Sequence, residues 1–374
     1  MLTRRQFLTR SAASFGTLLA GCALPQSETD TSETISMPSI DWQMPDESAP
    51  HKRTWMAFAA DPAIWGRRLS PMVQQNLASL ALTIAEFEPV SMLVNEIDYD
   101  AAFDLVGTDV ELIVQPLNDL WMRDTGPLFV FGPEGERGAV DLNFNGWGNK
   151  QAHFRDSKVA AFVAERTGAQ LINTDLVLEG GCIEVDGHGS AIITESCVLI
   201  DNRNPGVSKA EFEAQLMPLL GLDKIIWLPG IRGADITDGH TDFYARFASP
   251  GVVLAGYEPD PNYPDHEITK THIEMLNSAT DAAGRELEVI VLEAPTEIRE
   301  AFLNDDFASG YIGFYACNGA IIYQDFGDSR TDGETYDKLQ SAFPDREIVP
   351  INLDAIAAGG GSAHCATQQE PALV

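Results

Sequence analysis

Basic residues are scarce in this chain: 24 lysines and arginines stand against 56 aspartates and glutamates, for a formal net charge of −32. A surface this acidic repels phosphate backbones, which argues against nucleic acid as a partner. Its attraction for cations is weak evidence of function, because the same charge also serves solubility. Cysteine is sparse too, at 5 residues. Cys182, Cys197, Cys317 and Cys365 are widely spaced and match neither a disulfide framework nor a zinc site. Cys182 and Cys197 flank one hairpin candidate and could pair in an oxidising compartment; buried free thiols are the other reading. No His-x-x-x-His or Cys-x-x-Cys spacing and no EF-hand loop occurs, so neither metal nor cofactor is expected. What is plentiful is apolar surface, at 44% hydrophobic residues, with 31 glycines for turns. That composition suits a well-cored α/β protein rather than a disordered one.

The first residues read as an address. Arg4-Arg5 precedes a moderately apolar stretch, Phe15 to Ala20, which is far too short to cross a bilayer as a helix. The pair and the stretch together resemble a twin-arginine export signal. The following Leu19-Ala20-Gly21-Cys22 resembles a bacterial lipobox, which makes Cys22 the expected lipidation site and first mature residue. The expectation is therefore an exported protein that meets the membrane through a lipid anchor only. Residues 22–40, rich in Ser, Thr, Asp, Glu and Pro, read as a flexible tether. No linker-like composition interrupts residues 41–374, so that span is expected to be one domain.

One grammar recurs within it: two strand-like runs around a turn, a helix, then another strand. Gly126 to Asn145 is a hairpin candidate turning at Gly132-Pro133-Glu134-Gly135, followed by a helix near 153–167 and the strand Gln170 to Asn173. Gly181 to Glu195, a helix near 208–220 and Lys224 to Leu228 form the next unit. Asp242 to Tyr257, a helix near 266–282 and Leu287 to Leu292 form the third. Gly310 to Asp325, a helix near 333–342 and Glu347 to Ile351 form the fourth. The fifth is split: Ser362 to Gln368 from the C-terminus would pair with Thr54 to Ala59, followed by a helix near 70–86 and Pro89 to Val94. Each unit alone would expose an apolar face, and five in a ring would bury them. The expected fold is a five-bladed α/β propeller of pseudo-fivefold ββαβ repeats, closed by pairing the two ends of the chain.

The polar residues fall at matching places in these units. Asp124 precedes the first hairpin and Glu179 the second, His240 and Asp242 open the third, and Cys365 opens the fifth. Singly, each has a structural reading: a turn cap, a surface carboxylate, a loop imidazole, a buried thiol. Their common register would gather them on one axis. A thiol beside an imidazole suggests nucleophilic catalysis. Several carboxylates would raise the thiol pKa by repulsion, which makes sense if the substrate is a cation. Two carboxylates can hold a planar guanidinium through paired charge-assisted hydrogen bonds.

The ordered motifs carry a resemblance. They are Asn118-Asp119-Leu120-Trp121-Met122-Arg123-Asp124-Thr125-Gly126-Pro127, Phe144-Asn145-Gly146-Trp147-Gly148, Leu178-Glu179-Gly180-Gly181, Trp227-Leu228-Pro229-Gly230, Gly239-His240-Thr241-Asp242, and Gly359 to Pro371 around Cys365. Across residues 41–371 the chain resembles the agmatine deiminase and bacterial peptidylarginine deiminase family of the guanidine-modifying pentein superfamily. The resemblance implies that Cys365 attacks the guanidinium carbon and forms an amidino-cysteine intermediate. His240 would serve as general acid and then base, with Glu179 orienting it. Asp124 and Asp242 would grip the guanidinium, and Trp121 would wall the pocket. The partner implied is a small-molecule or peptide guanidine, and the product a ureido compound plus ammonia. The chain departs from agmatine deiminases at Ser362-Ala363, where they usually carry Asn-Ile, at Phe243 after Asp242, and at Gly313 in place of an asparagine. Agmatine leads as substrate, peptidyl-arginine follows, and amidino transfer or non-catalytic guanidine binding by a lipoprotein remain the alternatives.

Overall fold

A computed structural model describes residues 40–373. The expected export signal, Cys22 and all but the last residue of the tether lie outside the described residues. From residue 40 onward the chain forms one compact unit.

Strand β1 (His51–Phe58) pairs in parallel with β2 (Val90–Val94), and β2 with β3 (Glu111–Val114). The helix Pro62–Ala85 makes the first crossover. Asp61 caps it by accepting from the Ala63 amide, and Pro62 stands where a helix needs no donor. It starts earlier than the sequence suggested because it runs on through a kink at Gly66, where φ is 74°. The helix Tyr99–Val106 and β3 add a segment that the repeat grammar did not contain.

Each of the next four units is a three-stranded sheet built alike. A tight turn joins two antiparallel strands, and a crossover containing a helix returns the chain to lie parallel to the second. The strands are β4 (Leu128–Phe131), β5 (Arg137–Asp141) and β6 (Gln170–Asn173); β7 (Ile183–Val185), β8 (Ser190–Thr194) and β9 (Lys224–Leu228). They continue as β10 (Ala245–Ser249), β11 (Val252–Tyr257) and β12 (Glu288–Glu293); β13 (Tyr315–Cys317), β14 (Ala320–Gln324) and β15 (Glu347–Ile351). The second unit's crossover helix, Lys209–Leu220, carries a full capping box between Ser208 and Glu211 and ends at left-handed Gly221. The third unit's helix stops at Asn277, short of the expected 282, because Asp281 and Gly284 turn the chain instead.

The last strand, β16 (Thr367–Pro371), pairs antiparallel with β1, with Trp55 opposite Gln368 and Met56 opposite Thr367. Residues 362–366 are not strand, as the sequence reading had them; the Ala366 amide reaches back to the Ser362 carbonyl in a turn that holds Cys365.

Apolar side chains alternate between packing partners, as sheets covered on both faces require. Trp55 and Leu93 meet Phe129 and Ala139; Val130 and Val140 meet Ile183 and Ile193. Ile192 and Leu228 meet Ala245 and Val253, Leu254 and Leu292 meet Phe314 and Ile321, and Tyr315 and Ile322 meet Met56 and Met92.

Candidate active site

Four short turns deliver the polar residues, each just before a strand. The helical turn Met122–Thr125 carries Asp124 ahead of β4. Glu179 immediately precedes the 3-10 turn Gly180–Cys182 ahead of β7, and His240 immediately precedes Thr241–Phe243, which carries Asp242, ahead of β10. Cys365 lies in the turn ahead of β16. The Arg123 amide donates to the Cys365 carbonyl at 3.1 Å, which ties the first turn to the last.

These turns converge. His240 Nε2 donates to Glu179 Oε2 at 3.1 Å, and its Nδ1 lies 3.8 Å from Asp124 Oδ1 and 4.0 Å from Asp242 Oδ1. The Cys365 thiol is 3.6 Å from Asp242 Oδ2 and 3.5 Å from the Ser362 hydroxyl. Cys365 and Trp121 keep 7% of their surface exposed and Asp124 6%, against 0% for Glu179 and 1% for His240 and Asp242. The thiol, Asp124 and the indole therefore face the way in, and Glu179 closes the floor.

Each carboxylate is held differently. Asp124 accepts from the Trp147 indole at 3.0 Å and from the Gly181 amide at 3.2 Å. Trp147 achieves this from a left-handed backbone, φ 54°, which a bulky residue adopts only under constraint. Glu179 is gripped through both oxygens by Arg203 Nε, at 2.8 and 3.0 Å. The same guanidinium donates to Asp238 and to the Thr237 carbonyl, strapping the loop that presents His240 to Glu179. Asp242 accepts at Oδ2 from His364 Nδ1 at 2.7 Å, while its Oδ1 is buried with no hydrogen-bond partner.

The electrostatics follow. Burial opposes charge on His240, but Asp124, Glu179 and Asp242 together outweigh it and raise its pKa to about 10. The imidazole is thus cationic at neutral pH and can give a proton to a leaving group. Burial pushes Asp124 up to about 6, with Glu179 and Asp242 adding to the push and His240 opposing it. Burial would also raise Glu179, but His240 and Arg203 hold it below the usual carboxylate range. Burial, then Asp242 and Asp124, push the Cys365 thiol well above its ordinary value.

Two glycines are fixed by side chains that lean on them. The Trp121 ring rests where a side chain on Gly361 would be, and Trp65 does the same over Gly359. The two indoles are 5.7 Å apart and line up beside the Cys365 turn. Gly181 lies beneath the site itself: a Cβ there would sit 2.5 Å from His240 Nδ1 and 3.1 Å from both Asp124 Oδ1 and Asp242 Oδ2. Gly181→Ala should therefore lower kcat/KM by about a hundredfold, since a displacement of about 1 Å costs that much. Steady-state kinetics beside thermal unfolding checks this, and unchanged kinetics would show that the site can yield.

All the residues singled out from sequence meet here apart from Cys22, which lies outside the described residues. Cys182 and Cys197 are free thiols; Cys182 donates to Glu179 at 3.3 Å and Cys197 lies 3.1 Å from the Thr194 hydroxyl. Glu179, Cys182 and His240 offer atoms within 4.8 Å of one another. Arg203 already occupies both Glu179 oxygens, so a metal ion there would face a fixed cation. The sequence reading missed Arg203, Trp65 and Glu47, and gave Trp147 and His364 no role. Only Trp147 and His364 left a signal, by standing inside the motifs quoted.

The sequence profile of the Porphyromonas-type peptidyl-arginine deiminases matches residues 43–371. The chain belongs to that family. Membership makes it a hydrolase of carbon–nitrogen bonds in linear amidines. Among its relatives, a Streptomyces coelicolor protein provisionally named agmatine deiminase is 40% identical over 341 residues, covering 89% of this chain and 99% of its own length. The agmatine deiminase of Ectopseudomonas mendocina is 36% identical over 365 residues, covering 91% of this chain and 99% of that one. The solved agmatine deiminase of Enterococcus faecalis superposes with a TM-score of 0.82 at 32% identity, covering 89% of this chain and 97% of that one.

Proposed function

We propose that this family member deiminates agmatine, releasing ammonia and the corresponding ureido amine. The observation that carries this reading is Asp242 Oδ1, a buried acceptor with no hydrogen-bond partner that faces the same imidazolium as Asp124, on a carboxylate whose other oxygen lies 3.6 Å from the thiol. A guanidinium N–H supplies what that oxygen lacks. Asp124 takes the neighbouring nitrogen, and the bound cation stabilises the Cys365 thiolate, whose proton passes to solvent. Sulfur then attacks the guanidinium carbon. His240 gives its proton to the departing nitrogen, which leaves as ammonia and leaves an amidino group on sulfur. His240, now neutral, takes a proton from water as it adds to the same carbon. The carbon–sulfur bond breaks, the remaining hydroxyl proton passes to sulfur to restore the thiol, and the urea leaves with His240 again protonated. Glu179, fixed by Arg203, keeps the imidazole oriented through both halves. Agmatine is favoured over peptidyl-arginine by the agmatine deiminases among the relatives and by a thiol only 7% exposed, which suits a slender guanidine.

The architecture we infer is a five-bladed ring. Its support is the run of apolar contacts from each sheet to the next, including the last to the first, together with the β1–β16 pairing. Such a ring gathers the four turns on its axis.

Ammonia release from agmatine, free arginine and arginine peptides tests the function directly. Agmatine should be turned over with the highest kcat/KM, and faster turnover of a peptide would reassign the substrate. Adding an excess of a primary amine should not divert the amidino group; an amidinated amine as major product would make the protein a transferase. We further propose that residues 1–21 direct export and that Cys22 is lipidated, on the strength of Arg4-Arg5 and Leu19-Ala20-Gly21-Cys22. Mass spectrometry of the native protein should find a chain starting at a lipid-modified Cys22. A cytoplasmic chain with residues 1–21 intact would refute that.

A further inference from the structure

Behind Asp242 lies a buried polar hub that the reaction as written does not use. Its centre is His364, the residue before Cys365, with 1% of its surface exposed. Its Nδ1 lies 2.7 Å from Asp242 Oδ2 and its Nε2 2.8 Å from Glu47 Oε2. Glu47 belongs to the segment ahead of β1 and is itself fully engaged. Arg123 Nη2 donates to its Oε2 at 2.8 Å, while Arg246 Nη2, at 2.8 Å, and the Ala316 amide, at 2.9 Å, meet its Oε1. Arg246 also binds Glu184 at 2.7 Å, and Glu184 Oε1 lies 3.7 Å from the far side of the His364 ring. The imidazole is therefore clamped from behind before it reaches the active site.

The front of the ring meets a carboxylate whose two oxygens differ. Oδ2 is taken by His364 at a short, charge-assisted distance, with the Cys365 thiol further off at 3.6 Å. Oδ1 is buried with no hydrogen-bond partner, and His240 Nδ1 lies 4.0 Å from it. A carboxylate free to spin about its last bond would present either oxygen to a substrate, or both to the thiol. Resting on the functional reading above, we propose that His364 is a positioning residue: backed by Glu47, it pins Asp242 through Nδ1 so that Oδ1 alone is offered to the substrate guanidinium.

The two ring nitrogens can be tested apart. In His364→Asn the amide nitrogen falls near the place of Nδ1, and in His364→Gln near that of Nε2. His364→Asn should keep the bond to Asp242 and hold kcat/KM for agmatine within about tenfold of the parent, since what it loses is the tie to Glu47. His364→Gln should keep the tie to Glu47 but release Asp242, raising KM for agmatine by about a hundredfold with a smaller fall in kcat. A second readout is labelling of Cys365. His364→Gln should slow inactivation by a cationic haloacetamidine, which needs the oriented carboxylate. It should leave the rate with neutral iodoacetamide in alkaline solution unchanged.

Should His364→Gln match or surpass His364→Asn, the ring would serve only the Glu47 side and the proposal fails. It fails equally if both variants behave like the parent. If one variant does not fold, the other decides: a hundredfold loss in a His364→Asn protein of normal Tm, or an unchanged KM in His364→Gln, overturns it. Independently of both, a crystal structure of the Cys365→Ala protein with agmatine should show the guanidinium on Asp242 Oδ1 and His364 still on Oδ2. Guanidinium on Oδ2 with the imidazole displaced would overturn it. If the parent enzyme released no ammonia from any guanidine, the functional reading would fall; an active parent with the reversed order would remove this inference alone.

Discussion

Cys365→Ala should abolish ammonia release while leaving the protein folded. Alanine fits the space of a small buried thiol, so packing changes little, but the sulfur placed to attack carbon is gone. The parent enzyme should also respond to alkylators in an uncommon order. Burial, Asp242 and Asp124 raise the Cys365 thiol well above its ordinary value, so the empty site holds thiol and not thiolate. Iodoacetamide should therefore act slowly at neutral pH and faster only in alkaline solution. A haloacetamidine carries the cation that those carboxylates lack, and should inactivate far faster at pH 7. The adduct should lie on Cys365, 7% exposed, and not on Cys182, Cys197 or Cys317, each 0% exposed. Equal rates for the neutral and cationic reagents at pH 7 would mean a thiolate formed before substrate arrives.

The second large effect belongs to the carboxylates. Asp124→Asn and Asp242→Asn should each reduce turnover by on the order of a hundredfold or more. An amide is half donor, and a guanidinium only donates, so the substitution turns an attraction into a clash of N–H groups. The two losses should differ in pH dependence. Asp124 titrates at about 6 in the empty site, where burial disfavours its charge. As pH falls through about 6 the carboxylate gains a proton, becomes neutral and loses its hold on the cation. The parent's kcat/KM should accordingly decline on the acid side of pH 6, since that quantity reports the free enzyme. Asp242 lies below the usual carboxylate range because His364 and His240 outweigh its burial, so it stays charged across that interval. The residual activity of Asp124→Asn should therefore lack the acid limb, and that of Asp242→Asn should keep it. A pH profile of each variant decides the matter; an acid limb surviving in Asp124→Asn would assign that limb elsewhere.

Much of this site was legible in the sequence because each reactive residue stands just ahead of a strand, and all but Cys365 ahead of a hairpin. The turn and the alternating strands that follow are local signals. Lys224–Leu228 and Glu347–Ile351 were placed to the residue, since short strands with a clear turn or helix before them have little freedom in their bounds. The extra strand Glu111–Val114 was missed because its unit does not repeat what the others do. The supporting residues were hidden for another reason. Arg203 looks like any loop arginine until the fold brings it against Glu179, and Glu47 sits in a segment read only as the start of a domain. Their meaning lies in contacts between distant segments, and no local pattern marks those. Trp147 is intermediate: its motif was visible, but the left-handed backbone that aims its indole at Asp124 was not.

The pairing of β1 with β16 also governs when activity can appear. It joins residues at opposite ends of the described chain, Trp55 with Gln368, and Cys365 stands immediately before it. Contacts this distant in sequence form late, because a long stretch of chain must be confined before they give anything back. During synthesis the histidine and all three carboxylates are made while the thiol is still unmade, and the first strand must wait for the last. A chain not yet made through Cys365 therefore carries the carboxylates and the imidazole but no nucleophile. Activity appears only once β16 is paired with β1, and deleting Thr367–Pro371 should disarm the enzyme without removing any residue of the active site.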